Sequence, residues 1–294
     1  MGDYIFQNCY NLESIKLPDK ITSIGDSTFS HCEKLNKIYI PDTITNIGDY
    51  AFCYCISLKK IELPSNVKKI GKRAFWHCYT LESFEIPDGV ETIEERTFTN
   101  CKKLKEVNIP NNVKVIKECA FELCISLENL TIPNNVMTIE RDAFRYCQSI
   151  TSIVIPEKVT IIEKETFTGC ISLTSISMSN NVTKIEDYAF FGCGMTNIIL
   201  SDNLQGKLGD YAFSQCINLN DIIIPKNVSI IGAGAFKGCS NLKSITVSNK
   251  EPDFDSFAFE DCPNFKTIFI KKPTNVEDYS EFVEKYNVTR EFLK

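Results

Sequence analysis

The stretch AFCYCISLKKIELPSNVKKIGKR, residues 51–73, is followed at once by Ala74-Phe75 and a second copy of the same pattern. Aligned on Cys55, that pattern recurs through the whole chain. Twelve cysteines fall on one ladder at a spacing of 23: Cys9, Cys32, Cys55, Cys78, Cys101, Cys124, Cys147, Cys170, Cys193, Cys216, Cys239 and Cys262. A phenylalanine stands three residues before each, from Phe6 to Phe259. Leucine follows three residues after the cysteine in nine copies, with Ile150, Met195 and Phe265 in the others. Apolar residues come at plus six and plus eight, as in Ile61 and Leu63, and proline at plus nine in eight copies. A second apolar pair three apart follows, as in Val67 and Ile70.

Each column has a physical meaning. Apolar residues at plus six and plus eight, with a polar residue between, give the period-two pattern of a strand with one buried face. Proline ends that strand by removing a ladder donor, and Asn, Asp or Gly then favour a turn. The V-x-x-I segment is expected to be a second short extended piece, and A-F-x-x-C a single helical or 3₁₀ turn pressing its Phe inward. One 23-residue unit cannot bury its apolar face alone, so neighbours must stack. The expectation is a β-rich solenoid of about 12 coils. A buried Phe contributes roughly 1.5–3 kcal/mol, so the Phe column is its spine.

The F-x-x-C-x-x-L-x-x-I-x-I-P-x-x-V-x-x-I unit resembles the BspA-type leucine-rich repeat, a 23-residue class of the leucine-rich repeat superfamily, over about residues 1–272. The I-G and A-F elements match too, as in Ile47-Gly48 and Ala51-Phe52. The resemblance implies a right-handed leucine-rich repeat solenoid with a parallel sheet on its concave side. It also implies a surface or adhesive role of the kind found in proteins of mucosal bacteria and protists. It brings no catalytic residues.

The repeat loses step once. After Cys193, Met195, Ile198 and Leu200 come one residue early, and the interval from Leu204 to Leu208 regains the missing residue. An irregularity is expected near Gly194 and Gln205-Gly206. The chain opens in mid-coil, since Met1–Phe6 aligns with Ile47–Phe52, so a longer parent protein is expected. Location follows from that expectation: cell surface or secreted for a fragment, cytoplasm otherwise. Residues 273–294 carry Val276, Tyr279, Phe282, Val283 and Tyr286 at helical spacing and are expected to form a capping helix.

Composition narrows the function. The 294 residues carry a net charge of -6, which argues against a nucleic-acid partner, and no apolar run is long enough for a membrane span. No nucleophile–base pair or phosphate loop stands apart from the repeat columns, so the chain is read as a non-enzyme without a cofactor. The ladder cysteines are read as buried free thiols rather than disulfide staples or metal ligands. The off-ladder Cys53 and Cys119 are expected to be exposed and reactive, and His31 and His77 are read as surface residues about 10 Å apart. The glycine-rich run 232–238 is repeat columns, not a phosphate loop. Four N-x-[ST] sequons, at Asn129, Asn181, Asn227 and Asn287, matter only in a secreted protein.

Recognition is expected on the concave sheet face, at the outward strand positions plus five and plus seven. In the first half these are Lys37, Tyr39, Lys60, Glu62, Ser83, Glu85, Glu106 and Asn108, a mixed charged strip. From Cys124 onward they become Asn129, Thr131, Ser152, Val154, Ser175, Ser177, Asn197, Ile199, Asp221, Ile223, Ser244, Thr246, Thr267 and Phe269. Hydroxyls around Val154, Ile199, Ile223 and Phe269 make a candidate face for a protein ligand, to which Tyr39 is added from the first half. Surface adhesion is the first reading, and an intracellular scaffold or regulatory interaction protein the alternative.

Overall fold

In a computed structural model, residues 1–247, 252–271 and 288–293 are described. They form a solenoid of parallel strands with about 11 turns and no helix among the described residues. The chain divides into two compact units, Met1–Thr151 and Ser152–Lys294.

In the first unit the plus-five to plus-seven segments pair in parallel with an offset of 23 residues. Ser14–Lys16 lies beside Lys37–Tyr39, and Glu106–Asn108 between Ser83–Glu85 and Asn129–Leu130. The V-x-x-I segments form a second ladder, with Asn46–Ile47 between Ser23–Ile24 and Lys69–Ile70. Alternation fixes which residues face inward: Val107 is buried while Glu106 and Asn108 are exposed.

The A-F-x-x-C segment is not a helix. Tyr50 and Tyr54 have φ of 56° and 59°, and residues five and one before the ladder cysteine are left-handed in every coil. Bonds such as Cys55 N–H to Phe52 O close single turns, but the left-handed residue in each stops a helix from propagating. In return, alternate N–H groups all point along the stack. Tyr50, Phe52 and Tyr54 donate to Lys72, Ala74 and Trp76 of the next coil at 2.8–2.9 Å, which makes a third ladder. This third ladder satisfies the backbone more completely than an isolated helical turn could.

Inside, the Phe rings stack face to face. From Phe6 to Phe121 consecutive rings lie 5.3–5.7 Å apart. The second unit repeats this from Phe167 to Phe259, with 5.5 Å between Phe167 and Phe190. The ladder cysteines lie beside the rings as free thiols, all buried except Cys9 and Cys262. Their identity has a hydrogen-bonding reason. Phe52 O accepts from Cys55 N–H of its own coil at 3.1 Å and from Cys78 Sγ of the next at 3.2 Å. A thiol thus fills the second acceptor site of a buried carbonyl while packing as a small hydrophobe.

The second unit has longer strands: Asp221–Ile224, Ser244–Val247, Thr267–Lys271 and Thr289–Leu293 pair in that order. Its irregularity lies where the sequence loses step. Residues 197–200 join no strand, and the register shifts between Gly206 and Lys207. Shortening the coil brings backbone against backbone: a Cβ on Gly194 would lie 2.2 Å from Ile171 O. Only glycine fits there.

The expected capping helix, residues 273–294, falls largely on residues 273–287, outside the described residues. Its last part differs from expectation, since Thr289–Leu293 is a strand in parallel register with Thr267–Lys271. The open edge of Thr267–Lys271 presents unpaired backbone groups, which a strand satisfies and a helix cannot.

Candidate recognition face

Strand alternation turns the plus-five and plus-seven side chains away from the core, and the exposures follow. Ile199 is 85% exposed, Val154 63%, Ile223 57% and Tyr39 51%, whereas Ile153 and Ile222, each one residue before an exposed neighbour, are buried. Thr131, Ser152, Ser175, Ser177, Asn197 and Asp221 are exposed; Thr246 and Phe269 are half-buried.

Parallel register sets the neighbours. Ser152 and Val154 stand beside Ser175 and Ser177, and Ile223 beside Thr246, which in turn adjoins Phe269. Asn197 and Ile199 lie in the segment 197–200, which joins no strand. Tyr39 and Thr131 belong to the first unit. There Lys37 places its ammonium 4.8 Å from the Tyr39 ring, so that ring face is already engaged.

The thiols offer no site. Cys53 and Cys119 are not exposed; they are 3% and 4% accessible, and burial pushes each thiol up to about 12. Both are short side chains among longer ones such as Arg73 and Arg96, which is why their variable columns misled. Cys216 is likewise raised to about 12 by burial. Among the described residues, no group of three His, Cys, Asp or Glu is placed to hold a metal ion. No helix there is long and apolar enough to cross a membrane.

A second surface, on the turn edge of the first unit, was not anticipated. His31 and His77 are half-buried, each stacked at 4.5 Å on the Tyr54 ring between them. Burial and then the charge of Lys102 hold His77 below the usual imidazole range. Nearby, a groove of about 390 Å³ opens beside Tyr4, Ser27, Tyr50 and Trp76. Beyond it runs an ion-pair ladder: Arg73 to Glu95 at 2.9 Å, Arg96 to Glu118 at 3.1 Å and Arg141 to Glu118 at 2.8 Å. Burial opposes ionisation of Glu95, but Arg73, Arg96 and Lys72 outweigh it and hold its carboxyl below the usual range. The signal for this surface was the run of aromatic residues near the cysteines of the first four coils.

The BspA type leucine rich repeat region, in 6 copies, matches residues 1–122, 91–206 and 206–290. The chain belongs to this family. Its fold is shared with a leucine rich cell surface protein from Faecalibacterium prausnitzii A2-165, with 27% identity, 98% of this chain and 84% of that one covered, and a TM-score of 0.61. A leucine-rich repeat protein from Bacteroides ovatus ATCC 8483 is 28% identical over 99% of this chain and 80% of that one, with a TM-score of 0.68. The pneumococcal vaccine antigen PcpA, 17% identical over 96% and 78% of the two chains with a TM-score of 0.50, is alike in fold alone. No curated protein matches the sequence.

Proposed function

We propose that this BspA-type repeat protein recognises a protein ligand through the outward strand face of its second unit. The observation that carries the reading is the exposure of Val154, Ile199 and Ile223 at positions that the repeat turns away from the core, among serine and threonine hydroxyls. Apolar side chains ringed by hydroxyls supply buried area on binding with polar contacts at the rim. The similar Faecalibacterium structure is described as a cell surface protein, which supports adhesion as the setting. Free thiols do not favour the scaffold reading over this one: twelve of the fourteen are buried, and their pairing is governed by packing as much as by compartment.

The test uses Ile199→Asp with Ile223→Asp in the full chain as bait against host and self extracts. A partner that the wild type retains and the double variant loses, while Lys60→Ala of the first unit still retains it, supports the reading. Equal retention by both variants would overturn it.

A further inference from the structure

The turn edge of the first unit holds a seat that one of its own coils leaves vacant. Five residues before the ladder cysteine, successive coils place Tyr4, Ser27, Tyr50, Arg73 and Arg96; one residue earlier they place Asp3, Asp26, Asp49, Lys72 and Glu95. Arg73 shows how these columns work together. Its guanidinium lies 5.4 Å from the centroid of the Tyr50 ring in the coil before and donates to the Tyr50 hydroxyl. It also donates to Glu95 Oε1, in the coil after, at 2.9 Å. The seat is thus a tyrosine ring on one side and a carboxylate on the other.

Ser27 stands in the same setting, with Tyr4 in the coil before and Asp49 in the coil after, but its side chain is too short to fill it. Tyr188 and Tyr211, neighbours in the same column of the second unit, stack at 4.9 Å. Two coil steps therefore separate Tyr4 from Tyr50 by about 10 Å, room for one flat group between them. The groove lies here, lined by Tyr4, Asp26, Ser27, Asp49, Tyr50 and Trp76 among others, with no Lys or Arg in its lining. Asp26 and Asp49 each use Oδ1 to accept a backbone N–H of the next coil, at 2.8 and 2.9 Å, which orients the carboxylate. Neither is paired with a cation of the described residues. Arg73 already covers one side of Tyr50, so the side toward Ser27 is the one left to a ligand.

We infer that this groove seats an arginine side chain presented by a partner protein, its guanidinium stacked on Tyr4 and paired with Asp49. A planar, permanently charged fork suits two rings and a fixed carboxylate, whereas a lysine ammonium is a compact point charge that would leave the slot half filled. The inference is independent of the strand-face reading.

Trp76 is the chain's one tryptophan and lines the groove, so its emission reports occupancy. The probe is N-acetyl-arginine amide, with its citrulline counterpart as neutral isostere. Arginine amide is expected to change Trp76 emission saturably with a Kd on the order of a millimolar, as suits so small a ligand, and citrulline amide to bind at least about ten-fold more weakly. Ser27→Arg supplies the missing guanidinium from within the chain; Arg73 and Arg96 hold the same left-handed conformation, so it is expected to fold and to abolish binding. Asp49→Asn keeps the Oδ1 acceptor for Lys72 N–H and is expected to weaken binding about five-fold or more by removing the charge. Equal responses to arginine and citrulline, no saturation by roughly 50 mM, or undiminished binding by Ser27→Arg would each overturn the inference.

Discussion

The two units carry the same interior and different exteriors. Phe rings repeat at 5.3 Å between Phe29 and Phe6 in the first and between Phe190 and Phe213 in the second, and the ladder thiols reach back to the same carbonyls. Outside, the first unit carries charge on its strands and an ion-pair ladder on its turn edge, while the second carries hydroxyls, bare Ile and Val side chains, and the one coil that loses step. Stacking constrains only what faces the next coil. The positions facing water were therefore free to diverge into two surfaces without disturbing the spine.

The shared interior gives both units a common alkaline weakness, and this is the largest effect expected. Burial raises Cys32 to about 11 and Cys53, Cys119 and Cys216 to about 12, from an ordinary 9.0. In each case the folded value lies above the unfolded one. The stabilisation is then complete below pH 9 and is lost as pH rises towards 12, at about 1.4 kcal/mol per pH unit for each fully buried thiol. With many thiols titrating together, far-UV circular dichroism should show cooperative unfolding between roughly pH 9 and 11. Survival of the folded signal at pH 12 would mean that the thiols are not enclosed as described.

Next in size, truncating the spine should cost the same in either unit. Phe121→Ala and Phe190→Ala each remove a fully buried ring and should each cost about 3–5 kcal/mol. Hydrogen exchange should locate the loss in the coils on either side of the deleted ring, as nearest-neighbour stacking requires. A large difference between the two variants would show that the interiors are not equivalent.

The off-step coil allows a finer contrast between its two glycines. Gly194→Ala must displace Ile171 O and is expected to cost about 1–3 kcal/mol. Gly206 has φ of +71° with nothing within 4 Å of a new Cβ, so Gly206→Ala meets only the left-handed strain of about 1 kcal/mol. Thermal melts that rank the pair the other way would place the tight contact elsewhere.

What the sequence made legible follows the same division. The Phe, Cys, Leu and Ile columns could be read because each faces the next coil and tolerates one kind of side chain. The left-handed turns were missed because Tyr50, His77 and Arg96 adopt them, residues that do not advertise positive φ. A trace was present: the position before the ladder cysteine is Asn8, Asn100, Gly169, Gly192, Gly238 and Asp261 in half of the coils, types that accept that conformation readily. Cys53 and Cys119 were misplaced because periodicity says which way a side chain points, not whether its neighbours enclose it. The groove escaped notice for a related reason. It is defined by a short residue, Ser27, between two long ones, and a missing side chain leaves no mark in a pattern built on those that recur.

The smallest expected effect divides core from surface most sharply. Ile222 and Ile223 are adjacent in Asp221–Ile224, yet one is 2% exposed and the other 57%. Ile223→Asp, alone or with Ile199→Asp, places a carboxylate in water and should change stability by no more than about 0.5 kcal/mol per site. Ile222→Asp would bury the same carboxylate among stacked side chains, where no cation awaits it, and should prevent folding or cost more than about 4 kcal/mol. Melting curves of the two single variants decide the matter. If Ile223→Asp were the more damaging, the strand would be turned over, and the hydroxyl-rimmed face would be interior rather than available to a partner.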